Sequence, residues 1–227
     1  MNVQYYTDPW PHVVIDDFLP DYIFKPLVGA KKKITEISNK YFNSERQTRY
    51  YVSNTMKAAL AGEKRIPAKD ESDYDIKNVD DVDKVKYIFH KAGIYDILIE
   101  YNLFIKEHDD VFRDIYGSLS LGNMYGKYRS GLQIQSPGYI YPIHPEAATK
   151  LMSLITFISP EDNHGTWLYN SNKLDYYSPT KKIEWKQNSA FIFCGIPNTT
   201  WHSFSAKKDI SEKRITLGTF FYAKNRH

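Results

Sequence analysis

The sequence predicts a mainly β protein with supporting helices: a double-stranded β-helix, or jelly roll, with N-terminal helices packed on one of its sheets. Two observations carry this. After Gly117 the chain divides into eight short β-prone segments separated by turn signals, the pattern of a sandwich or barrel. Before Gly117 the apolar residues recur at helical spacing instead.

Pro11 to Pro20 opens with a short apolar strand, Val13-Val14-Ile15, that stops at Asp16 and Asp17. Asp21 can then cap a helix from about Tyr22 to Tyr41, with Ile23, Leu27, Ile34, Ile37 and Tyr41 as its apolar stripe. Tyr50-Tyr51-Val52 reads as a strand, and the Lys-, Glu- and Asp-rich stretch from Ala61 to Asp80, with Pro67, as a surface loop. Val82 to Gly117 is the most helical part, with Val85, Ile88, Phe89, Ile94, Ile97, Leu98, Leu103 and Phe104 on a wide stripe. Breaks are expected at Gly93 and near His108.

The eight β segments are Gly131–Gln135, Tyr139–His144, Leu151–Ile158, Thr166–Tyr169, Lys182–Trp185, Ala190–Cys194, Thr200–Ser205 and Arg214–Tyr222. That number suits two stacked sheets in Greek-key order, which leaves few exposed edges. The expected organisation is one domain over residues 1–227. Residues 1–117 supply the first strand and the helices, and residues 118–227 the jelly-roll core.

Composition narrows the function classes. A net charge of +3 over 227 residues is too small and dispersed for a nucleic-acid partner, and the Lys31-Lys32-Lys33 and Lys181-Lys182 runs read as solvated faces. The single cysteine, Cys194, allows neither an intrachain disulfide nor a cysteine zinc site, and reads as a small buried hydrophobe. The N-terminus lacks the regions of a secretory signal and no apolar run is long enough to span a membrane, so the expectation is a cytoplasmic protein. The 19 tyrosines suit pleated surfaces, or a sugar-facing or base-facing cleft. Oligomeric state is open.

Chemistry concentrates in the second half. His144-Pro145-Glu146 and His202 supply two imidazoles and a carboxylate, a set that holds Fe(II) on one face and leaves three positions open. On a strand, His144 and Glu146 would project from one face, and Pro145 marks a strand end or rim. Arg214 can form a bidentate pair with a carboxylate, and Thr216 shares its strand parity.

With these residues in place, Ser136 to Tyr222 resembles the Fe(II)/2-oxoglutarate-dependent dioxygenases, nearest their prolyl hydroxylase-like branch. The matching pieces are Pro137-Gly138-Tyr139-Ile140-Tyr141-Pro142-Ile143-His144-Pro145-Glu146, Leu154 to Ile158 with Gly165-Thr166, Asn188 to Phe193 with His202-Ser203, and Arg214-Ile215-Thr216. The Pro11-to-Leu19 stretch is similar to that group's start. The resemblance implies His144, Glu146 and His202 as iron ligands, and Arg214 with Thr216 at the remote carboxylate of 2-oxoglutarate. Gln135, Gln133 or Tyr139 would be further co-substrate contacts. Two departures stand out: Glu146 replaces the usual Asp and reaches one methylene further, and Gln135 stands where the branch often has Tyr.

The expected activity couples oxidative decarboxylation of 2-oxoglutarate, to succinate and CO2, with O2-dependent hydroxylation of a prime substrate, small molecule or peptide side chain. Ascorbate is compatible with it, and no catalytic residue beyond the metal ligands is required. The rivals are a cupin-like metalloenzyme without a 2-oxo acid and a non-catalytic jelly-roll module for a carbohydrate-like ligand. His12, His90, His108, His164 and His227 are assigned to packing or surface, and Trp167 and Tyr169 suit core packing and substrate contact equally.

Overall fold

The computed structural model describes residues 2–41, 48–53, 89–90, 92–119, 125–146 and 149–223. The expected loop over residues 61–80, the helical residues 82–88 and His227 lie outside them. Among the described residues, strands β1 (Asn2–Tyr6) and β2 (His12–Asp16) precede helices α1 (Asp21–Gly29) and α2 (Lys31–Tyr41). Strand β3 (Thr48–Ser53) and helices α3 (Ile94–Glu107) and α4 (Asp109–Leu119) follow. The remaining strands are β4 (Tyr125–Gln135), β5 (Ile140–His144), β6 (Lys150–Ser159), β7 (Thr166–Tyr169), β8 (Lys181–Ile183), β9 (Ala190–Cys194), β10 (Trp201–Ser205) and β11 (Arg214–Ala223).

Each of the eight expected core segments contains a strand, but β8 stops at Ile183, short of the expected Trp185, and β4 begins at Tyr125, before the expected Gly131. The strands form two antiparallel sheets, a larger one in the order β1-β2-β9-β6-β11-β4-β3 and a smaller one in the order β5-β10-β7-β8. The fold is a mainly β jelly roll.

Side-chain alternation gives the larger sheet two chemically different faces. Leu132, Ile134, Met152, Leu154, Ile192, Ile215, Leu217 and Phe221 point to one side, where they bury against Ile23, Leu27, Ile34, Leu98, Tyr101, Phe104, Phe112 and Ile115 of the helices. Each large aliphatic side chain buried there contributes about 1.5–3 kcal/mol. One polar chain crosses this layer: the Tyr101 hydroxyl shares a hydrogen bond with Thr219 Oγ1 at 2.8 Å, which meets Ser130 Oγ at 3.0 Å. Cross-strand pairs such as Arg214 with Gln135, Thr216 with Gln133 and Phe157, and Phe193 with Ser153 and His12 belong to the opposite face, turned towards the smaller sheet.

The helices depart from expectation in two places. The single helix expected from Tyr22 to Tyr41 is two, joined at Ala30, because Gly29, a poor helix former, sits at the junction and Pro26 gives no amide hydrogen. Asp21 is the first helical residue and not the cap. Pro20 stands at the cap position, with no side-chain hydrogen bond there. Gly93, at φ 70°, starts α3, and His108 ends it, its Nδ1 donating to Phe104 O at 2.9 Å. Both expected breaks are therefore present. Strand β1, absent from the sequence reading, pairs along β2 from Asn2–Asp16 to Tyr6–His12. No helix among the described residues is long and apolar enough to cross a membrane.

Candidate functional site

Strands β5 and β10 place His144 directly opposite His202. Their ring centroids are 4.2 Å apart. Each ring has its Nδ1 within hydrogen-bond reach of the carbonyl two residues earlier, Pro142 O at 3.0 Å and Thr200 O at 3.0 Å. A carbonyl can only accept, so Nδ1 carries the hydrogen and Nε2 is left as a lone-pair donor. Burial, the largest influence on both, lowers their pKa values, and the His144 ring is brought down to about 3. Both imidazoles are neutral at neutral pH.

Glu146 reaches the same place from beyond the end of β5. The strand stops at His144, so strand parity does not aim this carboxylate; its neighbours do. Lys150 Nζ lies 2.6 Å from Oε2, and Ser153 Oγ donates to Oε1 at 2.6 Å. Gly195 gives the side chain room, since a Cβ there would stand 3.0 Å from Glu146 Cβ and 2.3 Å from Lys150 O. Burial alone would raise the Glu146 pKa, but Lys150, His202 and His144 together hold it well below the usual carboxylate range. Glu146 is therefore ionised.

Glu146 Oε1 stands 3.9 Å from His202 Nε2. Adjacent ligands on a divalent ion with bonds of about 2.1 Å are roughly 3 Å apart. The donors accordingly do not close into a three-donor metal cluster among the described residues. Ser153 uses one lone pair of Oε1, and a second remains.

Arg214 begins β11 and is 1% exposed. Nη1 donates to Gln135 Oε1 at 3.0 Å and Nε to His164 O at 3.2 Å. No acidic side chain pairs with it among the described residues. Its Cζ lies 5.0 Å from the ring centroids of Trp185 and Phe204 and 5.8 Å from that of Phe157. Burial pushes the guanidinium pKa down to about 9. Beside it, Thr216 Oγ1 and Gln135 Nε2 are buried with no hydrogen-bond partner among the described residues. Buried polar atoms rarely stay unsatisfied, so both remain available to donate to a bound acceptor.

Aromatic rings line the way between the two ends. Tyr141 is 4.4 Å from His144 and stacks on Phe204 at 5.1 Å, and Phe204 abuts Arg214. Tyr139 joins this row, 6.2 Å from Phe204. Ring contacts thus connect the two imidazoles, on β5 and β10, with the guanidinium at the start of β11.

Other sequence readings resolve as follows. Trp167 and Tyr169 are cross-strand partners of Ser203 and Trp201, on the face away from His202, and Tyr169 OH donates to Tyr176 O at 2.6 Å. They are core packing. Cys194 is buried, its thiol pushed up to about 12 by burial. His12 is buried with Nδ1 2.8 Å from Trp10 O. His164 is closer to the site than its packing assignment implied, through its carbonyl to Arg214, while its ring meets Ser205 Oγ at 2.7 Å. Lys150, Ser153 and Phe204 escaped the sequence reading. A lone Ser inside Leu151–Ile158 and the shared parity of Phe204 and His202 were the available signals.

No protein-family model matches the chain, and no curated protein matches it. Solved structures do. The chain is similar to a prolyl-4-hydroxylase from Pseudomonas putida at 12% identity and a TM-score of 0.53, covering 94% of this chain and 93% of that one. It is also similar to a prolyl hydroxylase from Trichoplax adhaerens in complex with a hypoxia inducible factor oxygen degradation domain peptide fragment, at 12% identity and a TM-score of 0.48, covering 93% and 83%. At such identity the likeness to the bacterial enzyme establishes the shared fold.

Proposed function

We propose that this protein is an Fe(II)- and 2-oxoglutarate-dependent oxygenase that hydroxylates a second substrate and releases succinate and CO2. The observation that carries the reading is Arg214: a guanidinium wholly inside the jelly roll, without an acid partner among the described residues, next to a Thr216 hydroxyl and a Gln135 Nε2 that have no partner among them either. A carboxylate placed there would receive a bidentate pair from Arg214 and further hydrogen bonds from Thr216 and Gln135. The fold shared with the bacterial prolyl-4-hydroxylase supports the same reading.

The donor set fits a ferrous ion. His144 and His202 would ligate through Nε2 and Glu146 through the free lone pair of Oε1, with the carboxylate closing on His202 Nε2 from its present 3.9 Å. When bound, such an ion supplies O2 activation at its open positions. The protein's own residues do the rest. The backbone carbonyls of Pro142 and Thr200 hold the two imidazoles in the ligating tautomer. Lys150 and Ser153 fix the carboxylate, and Arg214 fixes the far end of the co-substrate. Tyr141 and Phe204 pack between His144 and Arg214, and Phe157 and Trp185 flank the guanidinium. Arg214 with Thr216 is the feature that speaks against a cupin-like enzyme without a 2-oxo acid.

The test is succinate production from 2-oxoglutarate by purified protein with Fe(II) and ascorbate, alongside His202→Ala. Succinate that requires Fe(II) and is lost in the variant supports the assignment. A wild-type protein that neither binds a divalent ion nor turns over 2-oxoglutarate refutes it.

A further inference from the structure

His164 reaches Arg214 by two routes. Its main-chain carbonyl accepts the guanidinium Nε–H at 3.2 Å. Its ring shares a 2.7 Å hydrogen bond, through Nδ1, with Ser205 Oγ. Ser205 is the neighbour on β10 of Phe204, whose ring centroid lies 5.0 Å from Arg214 Cζ. One side chain therefore ties the loop that meets the guanidinium edge to the strand that carries a ring beside it.

The rest of the loop holds that carbonyl in place. The buried Asn163 Oδ1 accepts the His164 N–H at 2.8 Å and the Lys207 N–H at 3.0 Å, which fastens the loop to the segment after β10. Gly165 presses the loop onto β8: a Cβ there would stand 1.9 Å from Ile183 O, so no side chain fits. A guanidinium carries five N–H donors in one rigid plane. With Nε on His164 O and one Nη1 hydrogen on Gln135 Oε1, the donors left over among the described residues belong to the two terminal nitrogens. Turning that plane would spoil a two-bond match with a carboxylate.

We propose that His164 is a positioning residue for the co-substrate: its bond to Ser205 keeps the loop carbonyl and the Phe204 ring in fixed relation, so that Arg214 offers its terminal nitrogens, and not its Nε edge, to the remote carboxylate of the 2-oxo acid. This rests on the oxygenase reading and deepens it. The hydrogen bonds of His164 go to Asn163, Ser205 and Arg214, and among the described residues none goes to His144, Glu146 or His202. Its ring should therefore matter to the co-substrate and not to the metal.

The experiment titrates 2-oxoglutarate into Mn(II)-loaded protein under nitrogen by calorimetry, with Mn(II) affinity measured alongside. The variants are His164→Ala, Ser205→Ala, the two combined, and His164→Asn, whose amide can reach Ser205 as Nδ1 does. His164→Ala and Ser205→Ala should each weaken 2-oxoglutarate about fivefold or more at unchanged Mn(II) affinity, and the combination no further than either, because both remove one bond. His164→Asn should recover affinity to within about twofold of wild type. Single variants that match wild type, effects that add in the combination, or Mn(II) affinity that falls in parallel overturn the proposal. Should His164→Ala not fold, Ser205→Ala decides by the same criteria. Arg214→Met separates the two levels. If it loses 2-oxoglutarate while His164→Ala binds as wild type does, the co-substrate site stands and the positioning role falls. If wild type itself takes up no 2-oxoglutarate, both fall.

Discussion

Arg214→Met separates a guanidinium kept for a ligand from one kept for the fold. Burial brings the Arg214 pKa from its ordinary 12.5 to about 9, which at about 1.36 kcal/mol per unit is an unfavourable contribution near 5 kcal/mol in the unliganded protein. Against it stand two hydrogen bonds from the charged group, to Gln135 and His164, each contributing about 1.5–3 kcal/mol, and ring contacts with Trp185 and Phe204 of about 0.5–2 kcal/mol. These terms nearly cancel. Methionine fills similar space without a charge, so Arg214→Met should unfold in urea within about 2 kcal/mol of wild type when metal and co-substrate are absent.

The same variant should lose co-substrate binding. A buried bidentate charge pair broken on one side costs about 2–5 kcal/mol, or roughly 30- to several-thousand-fold in affinity. Calorimetry of 2-oxoglutarate with Mn(II)-loaded protein under nitrogen reads this directly, and wild type should gain thermal stability from 2-oxoglutarate where the variant does not. A loss of more than about 3 kcal/mol in fold stability with unchanged 2-oxoglutarate affinity would make Arg214 a structural residue and refute the reasoning.

Three further outcomes are expected. Gly195→Ala should destabilise the fold by about 1–3 kcal/mol and weaken Mn(II) binding, because the new methyl meets Lys150 O and Glu146 Cβ; urea titration and calorimetry check the two effects. Tyr101→Phe should lower stability by about 1–2 kcal/mol, by stripping Thr219 of its bond to the Tyr101 hydroxyl, yet leave 2-oxoglutarate binding as it was. Burial depresses the pKa values of His12, His144 and His202 below 6.5, so the unfolded chain takes up protons that the native state refuses. Stability is then complete above about pH 6.5 and declines as pH falls below it, and His12→Phe should flatten part of that decline in urea midpoints measured between about pH 7 and 5.

The jelly-roll half was legible because its strands carry period-two alternation between clear turns, and every expected core segment contains a strand. The helical half was legible in type but not in joints: the stripe from Ile23 to Ile37 reads through Gly29 as though the helix continued, since the same residues are buried either way. His144, His202 and Arg214 could be singled out because their strands aim them. Glu146 is aimed by contacts with Lys150, Ser153 and Gly195, which strand parity does not encode. Strand β1 is mostly exposed and carries little apolar signal, so only its pairing with β2 defines it.

Strand β11 is hydrogen-bonded along both flanks, to β4 and to β6, while Arg214 and Thr216 occupy one of its faces and Ile215, Leu217 and Phe221 the other. Sliding it by a single position would drive the guanidinium into the helix-side core and bring leucine to the face turned towards the smaller sheet. One inserted residue within β11 would therefore disturb both faces of the sheet at once.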